Sequence, residues 1–226
     1  DVNVRVIAAR NPTTGPALAS QVGADCVSDW QTLLAMDDLD AVFVGTHNEI
    51  HGPITIATLE AGKHVLLEKP IALALDACDR IFDAARQAPG VFMVAENSQY
   101  WPEIIEAKKH IDAGTIGEII TARAAFVYAF NEHWFKEERP WRYEKGRTGG
   151  GIVIDGGAHW IRPLRMWMGE LKEVVGVLGY PLAQMEGESL ARALFRFESG
   201  KTAVFDAMMI DTNFAPEPWW RGAGTK

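Results

Sequence analysis

Asp40 to Pro70 reads D-A-V-F-V-G-T-H-N-E-I-H-G-P-I-T-I-A-T-L-E-A-G-K-H-V-L-L-E-K-P, and this stretch decides the fold class. Asp40 to Thr46 is a continuous apolar run bounded by turn residues, as expected of a parallel strand buried on both faces. Ile50 to Ala61 has helical spacing at Ile54, Ala57 and Thr58, and Gly62 supplies the stop. His64 to Leu67 is the next strand. Strand, helix and strand joined by short links make a βαβ unit, which places its two strands parallel.

The same beat extends outward in both directions. Upstream, Val4 to Ala9 reads as a strand, closed by Asn11-Pro12 and followed by a short helical stretch from Pro16 to Val22. Downstream, Leu75 to Gln87 is a helix with Ile81, Phe82 and Ala85 available for one face, and Val91 to Ala95 is a strand. This alternation predicts a partial Rossmann-type, doubly wound parallel sheet over residues 1–100. Right-handed crossovers bring the carboxyl ends of such strands to one edge, where open α/β sheets bind ligands. Those ends are Ala9-Arg10, Thr46-His47, Glu68-Lys69 and Glu96-Asn97.

After Tyr100 the pattern changes. Pro102 to Ala113 predicts a connecting helix ended by Gly114, and Gly117 to Phe130 a long strand. A turn-rich, aromatic-rich segment spans Asn131 to Gly151, and an apolar helix runs from about Gly157 to Met168. Three strands follow, Leu171 to Tyr180, Ser189 to Glu198 and Lys201 to Ile210, the last two joined by the hairpin signal Ser199-Gly200. Successive strands without helices between them predict an α+β domain with a mainly antiparallel sheet over residues 101–226.

Composition narrows the function classes. The 48% hydrophobic and 23% charged residues fit an ordinary globular protein, and the net charge of -8 argues against a nucleic-acid partner, which requires clustered Lys and Arg. Cys26 and Cys78 form neither a C-x-x-C pair nor a Cys/His cluster, so the expectation is free buried thiols and no metal site. No apolar run approaches the roughly 20 residues that span a bilayer, and no basic segment precedes an apolar leader. The reading is a cytoplasmic protein without a membrane partner, although the chain opens directly in a strand and leaves an upstream address open.

Two constellations have chemical potential. Lys69 in Glu68-Lys69-Pro70 closes a strand at the ligand edge, where a lysine can stabilise developing oxyanion character; its position also suits an ordinary turn lysine. Gly149-Gly150-Gly151 leads through Ile152-Val153-Ile154 to Asp155-Gly156-Gly157-Ala158-His159. If Asp155 enters a helix, i, i+4 spacing puts its carboxylate on the side of the His159 imidazole. Asp155 as a helix cap and His159 as a packing residue are the competing readings.

Taken together, these motifs resemble the glucose-fructose oxidoreductase and inositol dehydrogenase family (Gfo/Idh/MocA). The resemblance rests on V-F-V-G-T-H-N-E-I-H (Val42 to His51), A-G-K-H-V-L-L-E-K-P (Ala61 to Pro70), G-T-I-G-E-I (Gly114 to Ile119) and G-G-G-I-V-I-D-G-G-A-H (Gly149 to His159). It implies hydride transfer between a nicotinamide, NAD or NADP, and a sugar, cyclitol or related cyclic alcohol, with no metal. His159 would be the general base, Asp155 would orient it, and Lys69 would hydrogen-bond the reacting oxygen. Arg10, Thr46, His47, Asn48, His51, Glu68, Lys69, Pro70 and Asn97 would line the cofactor. Trp141 and Arg142 would border the nicotinamide, and sugar-facing groups would come from residues 126–141 and from around Trp160.

The chain also departs from the family pattern. No G-x-G-x-x-G turn lies ahead of Val4, so the chain reads as a fragment lacking both ends. Ala9-Arg10 stands where NAD users carry an acidic residue for the ribose hydroxyls, which favours NADP. Arg162 would meet either an acidic substrate group or a surface carboxylate. A non-catalytic binding or scaffolding protein that kept the fold is the alternative function. The apolar alternation of Ala191 to Phe197 and Thr202 to Met208 is consistent with a homo-oligomer, a dimer or tetramer.

Overall fold

The computed structural model describes residues 2–129, 141–210 and 219–226, and the chain divides into two compact units, Asp1–Ala95 and Glu96–Lys226. The first unit runs β1 (Val6–Ala8), α1 (Thr14–Val22), β2 (Asp25–Val27), α2 (Gln31–Leu34), β3 (Ala41–Val44), α3 (His51–Glu60), β4 (His64–Leu67), α4 (Leu75–Gln87) and β5 (Phe92–Val94). All its strand pairs are parallel, with β1 beside β2 and the order β3-β4-β5 in a second group. The short strand β2 and helix α2 were not expected. Their composition, Asp25-Cys26-Val27 and Gln31-Thr32-Leu33-Leu34, is too brief to set a period.

The buried stripe of α3 is His51, Ile54, Thr55, Thr58 and Leu59, which is the i, i+3, i+4, i+7, i+8 series of a one-sided helix. It packs with Ala84 and Ala85 of α4 on Val42, Val44, Val65 and Leu67. The expected two-sided burial of the strands is not what the structure shows. Phe43, Leu66 and Met93 stand side by side in register on the opposite face, and Phe43 is 60% exposed. A continuous apolar strand marks both faces as apolar, but α3 and α4 both pack on one of them.

The second unit runs α5 (Pro102–Asp112), β6 (Ile119–Ala129), α6 (Lys145–Thr148), α7 (Ala158–Met168), β7 (Leu171–Gly179), β8 (Leu190–Phe197), β9 (Thr202–Ile210) and β10 (Trp220–Gly224). Its five-stranded sheet has the order β10-β6-β9-β8-β7. All neighbours are antiparallel except β6 and β9, which run parallel through register pairs from Thr121–Thr202 to Ala129–Ile210. That parallel pair is possible because the chain between them is long enough for a crossover. The β8–β9 hairpin turns at Gly200, whose φ of 81° lies in the left-handed region that Gly adopts without strain.

The core of this unit forms between the sheet and α7, where Leu164 of the helix and Phe197, Ala203 and Phe205 of the strands are fully buried or nearly so. Phe195 and Phe205 stack with centroids 5.9 Å apart. Both cysteines depart from expectation: Cys26 is exposed and Cys78 half-buried. Among the described residues no helix is long and apolar enough to cross a membrane.

Phe205 is 1% exposed and touches both the sheet and the glycine turn that precedes α7. Phe205→Ala should destabilise the second unit by about 3–5 kcal/mol, read as a shift in the urea midpoint at unchanged slope.

Candidate functional site

In the first unit, the loops leaving β3 and β4 carry most of the polar groups singled out from sequence. Thr46 is exposed with its hydroxyl donating to the His47 carbonyl at 3.3 Å, Asn48 is buried, and His47 Nδ1 lies 3.7 Å from Glu49. Glu68 turns its carboxylate back to accept the Lys69 N–H at 3.1 Å, leaving Lys69 half-buried before a cis Lys69–Pro70 bond. Arg10 is exposed just past β1.

His51 holds these two loops together. Its ring is fully buried, with Nδ1 2.8 Å from the Pro70 carbonyl and Nε2 3.1 Å from the Thr46 carbonyl. The signal for this burial was in the sequence, because His51 occupies the first position of the α3 stripe. His51→Leu removes the hydrogen-bonding ring while keeping apolar volume, so the loop carbonyl that loses the ring N–H should cost about 1–3 kcal/mol, measurable by thermal unfolding.

In the second unit, the Gly149 to His159 segment is fixed by Glu188. This buried carboxylate accepts the Gly151 N–H at 2.9 Å and the Val153 N–H at 3.1 Å, and the Glu188 carbonyl accepts the Ile152 N–H at 2.9 Å. The backbones meet so closely that a Cβ on Gly151 would overlap the Glu188 main chain. A π-helical turn over Val153–Gly157 follows. Gly156 and Gly157 permit it, since a Cβ on Gly156 would overlap the Phe126 ring and one on Gly157 would lie 3.2 Å from Phe205.

The helical entry expected from Asp155 to His159 is a π turn followed directly by α7. Asp155 lies within the π turn, whose i→i+5 pitch differs from the α-helical offset assumed from spacing, and Gly157 takes the cap position of α7. The carboxylate at His159 is Glu96, with Oε1 2.8 Å from Nδ1. Asp155 Oδ2 lies 3.5 Å from Arg142 Nε, and the Arg142 guanidinium sits 4.6 Å over the Trp141 ring.

The surroundings of Glu96 and His159 are aromatic and only slightly open, with side-chain exposures of 13% and 20%. The His159 ring lies 5.8 Å from Trp101 at 34°, and Trp160 meets Trp101 edge-on. Glu96 Oε1 also accepts the Ser98 N–H at 2.8 Å, and its carbonyl accepts Gln99 Nε2 at 2.9 Å. Arg162 donates to Gln99 Oε1 at 2.8 Å, so its described partner is an amide where a surface carboxylate was one of the expectations. Burial pushes the Glu96 carboxyl up, but hydrogen bonds from His159 and Ser98 outweigh it and hold the group below the ordinary carboxylate range.

The predicted residues therefore separate by unit. Lys69, Arg10, Thr46, His47, Asn48, His51, Glu68 and Pro70 belong to the first, whereas Asn97, Asp155 and His159 belong to the second. Asn97 is exposed in the turn after Glu96. Residues 130–140, from which sugar-facing groups were expected, lie outside the described residues. Glu96 and Glu188 had no assigned role, yet Glu96 ends the Val91 to Ala95 run as Glu68 ends the strand before Lys69. Among the described residues no cluster of three or more His, Cys, Asp or Glu is placed to hold a metal ion.

Residues 1–96 match the family description "Oxidoreductase family, NAD-binding Rossmann fold", and residues 104–226 match "GFO/IDH/MocA C-terminal domain". The chain belongs to the Gfo/Idh/MocA oxidoreductase family. It is 33% identical to levoglucosan dehydrogenase of Pseudarthrobacter phenanthrenivorans over 178 residues, covering 77% of this chain and 45% of that protein. It is 31% identical to 1-carboxy-3-chloro-3,4-dihydroxycyclo hexa-1,5-diene dehydrogenase of Comamonas testosteroni, covering 90% of this chain and 51% of that protein. A solved structure of levoglucosan dehydrogenase with NADH and levoglucosan superposes with a TM-score of 0.87 at 28% identity, covering 98% of this chain and 62% of that one. The chain thus spans about half the length of the curated relatives it matches.

The lowered carboxyl of Glu96 has a defined pH consequence. Its contribution to stability is complete above the ordinary Glu range and is lost as pH falls through the lowered folded value. Glu96→Gln should therefore flatten the acid side of the stability profile, followed by the denaturation midpoint against pH.

Proposed function

We propose that the intact protein transfers a hydride between a nicotinamide cofactor and a carbinol carbon of a cyclic sugar-like alcohol, an anhydrosugar or a cyclic diol being the first classes to test. The observation that carries this reading is the ordered His159 imidazole, held in an aromatic surround by a carboxylate, within a family of oxidoreductases.

The parallel strand ends of the first unit offer a fit for the cofactor: a hydroxyl at Thr46, an amide at Asn48, and the Glu68 and Lys69 turn all lie on loops leaving β3 and β4. His51 acts there by fixing the loops, and Pro70 gives it an acceptor. When bound, the nicotinamide supplies the hydride acceptor at C4. In the oxidation direction the substrate C–H pair leaves as hydride, the hydroxyl proton passes to His159 Nε2, and the oxygen becomes a carbonyl. The family resemblance gives Lys69 the role of hydrogen-bonding the reacting oxygen. Arg142, paired with Asp155 and stacked on Trp141, borders the same chemistry as a fixed cation.

Ala9-Arg10 places a guanidinium, without a carboxylate, just past β1, a pairing that suits a ribose 2′-phosphate and hence NADP. The levoglucosan dehydrogenase complex contains NADH, so titration with both reduced cofactors decides the preference. Tighter NADH binding would refute the NADP assignment. No G-x-G-x-x-G turn occurs in the 226 residues.

The activity test is reduction of NAD and NADP by the intact protein across a panel of anhydrosugars, inositols and cyclic diols. Lys69→Ala and His159→Asn should each lower turnover by about a hundredfold or more, and unchanged turnover in either would remove that residue from the mechanism. Failure of every substrate with tight cofactor binding retained would favour the binding-protein alternative.

Assembly forms a second part of the proposal. Val175, Leu194 and Val204 lie in one register row across β7, β8 and β9, all exposed, beside an Arg123–Asp206–Arg192 ionic network. We assign this face to a second copy of the chain. Leu194→Glu should shift the species seen by light scattering toward monomer; a wild-type monomer at high concentration would refute the assignment.

A further inference from the structure

We infer that Glu96 is a positioning residue for the proposed reaction: it holds the proton on Nδ1 of His159, so that Nε2 presents the lone pair that takes the substrate proton. This rests on the reading of His159 as the base, and it gives the Nδ1 side of the ring a carboxylate other than Asp155.

The chemistry follows from hydrogen-bond accounting. An ionised carboxylate only accepts, and a neutral imidazole carries one N–H. With Glu96 Oε1 2.8 Å from Nδ1, the shared hydrogen belongs to Nδ1. The second donor on that oxygen, the Ser98 N–H at 2.8 Å, fixes where the acceptor sits, and it too requires an acceptor. Together, the His159 and Ser98 hydrogen bonds keep the carboxyl ionised against the cost of its burial.

The surrounding contacts limit the ring to one orientation. Two residues of α7 grip the same turn, His159 on Glu96 and, one helical turn on, Arg162 on Gln99. Gln99 in turn donates to the Glu96 carbonyl, so side chain and main chain of Glu96 are both restrained. Trp101 lies along the imidazole at 5.8 Å. Glu96 supplies the carboxylate at Nδ1, and Asp155 lies 3.5 Å from Arg142. A ring fixed by one nitrogen and one face can offer only the other nitrogen to a substrate.

The test uses the intact protein with 15N-labelled histidine, with long-range 1H–15N correlation at mildly alkaline pH and the His159 signals assigned by their loss in His159→Asn. The wild-type ring is expected to show a protonated Nδ1 and a pyridine-like Nε2. The reverse pattern overturns the inference without any Glu96 variant. Glu96→Leu removes the acceptor and should abolish the Nδ1–H preference, lowering kcat at least about tenfold with KM changed less than about threefold. Glu96→Gln retains an acceptor oxygen, so it should keep the tautomer and recover most of the lost kcat. A Glu96→Leu protein with the wild-type tautomer, or with altered tautomer and unchanged kcat, overturns the inference. Wild-type turnover in His159→Asn refutes the base assignment instead, and the spectra still report separately whether Glu96 sets the proton.

Discussion

Much of the second unit depends on two backbones being allowed to touch. Gly151 and Gly187 have no Cβ, and adding one at either position would drive it into the opposing main chain. Their approach lets Glu188 place its carboxylate and its carbonyl on three successive amide groups, Gly151, Ile152 and Val153. Those amides would otherwise be unsatisfied at the start of a helical segment, where every early N–H lacks an internal partner. The carboxylate does here what a capping side chain does elsewhere, from far along the chain.

From that anchor the rest of the candidate site follows by short steps. The π turn begins where Glu188 lets go, and Gly156 and Gly157 let it lie against Phe126 and Phe205. Helix α7 then starts at Ala158, so His159 falls in its first turn, facing the segment that opens the second unit. Asp155 sits inside the π turn, just ahead of α7. Its carboxylate meets a guanidinium, and Glu96 supplies the carboxylate at Nδ1.

The first unit works by the same economy of fixed points. Its loops leave parallel strands at a common edge, and one buried ring, His51, spans them through two carbonyls. The strands themselves are short, four residues in β3 and in β4, so loop geometry depends on such ties as much as on the sheet. The exposed row Phe43, Leu66 and Met93 shows the complementary fact: a strand can be apolar on both faces while the described helices cover one.

The sequence by itself determined the alternation of strand and helix from β3 to β5, the change to successive strands in the second unit, and the residues that follow β1, β3, β4 and β5. These are local properties, carried by periodicity, glycine stops and composition within a dozen residues. The buried stripe of α3 was legible only in part: Ile54 and Thr58 lie on it, whereas Ala57 is half-buried and His51, Thr55 and Leu59 complete the face. Only the tertiary structure decided which carboxylate meets His159, which acceptor meets Arg162, and that β6 and β9 run parallel. Glu96 and His159 are separated by 63 residues and Glu188 and Gly151 by 37. Hydrogen-bond partners that distant are selected by which groups burial brings within reach, and no local pattern encodes that choice. Spacing within one segment could point only to Asp155, near in sequence; packing brought Glu96 to Nδ1 because it was near in space.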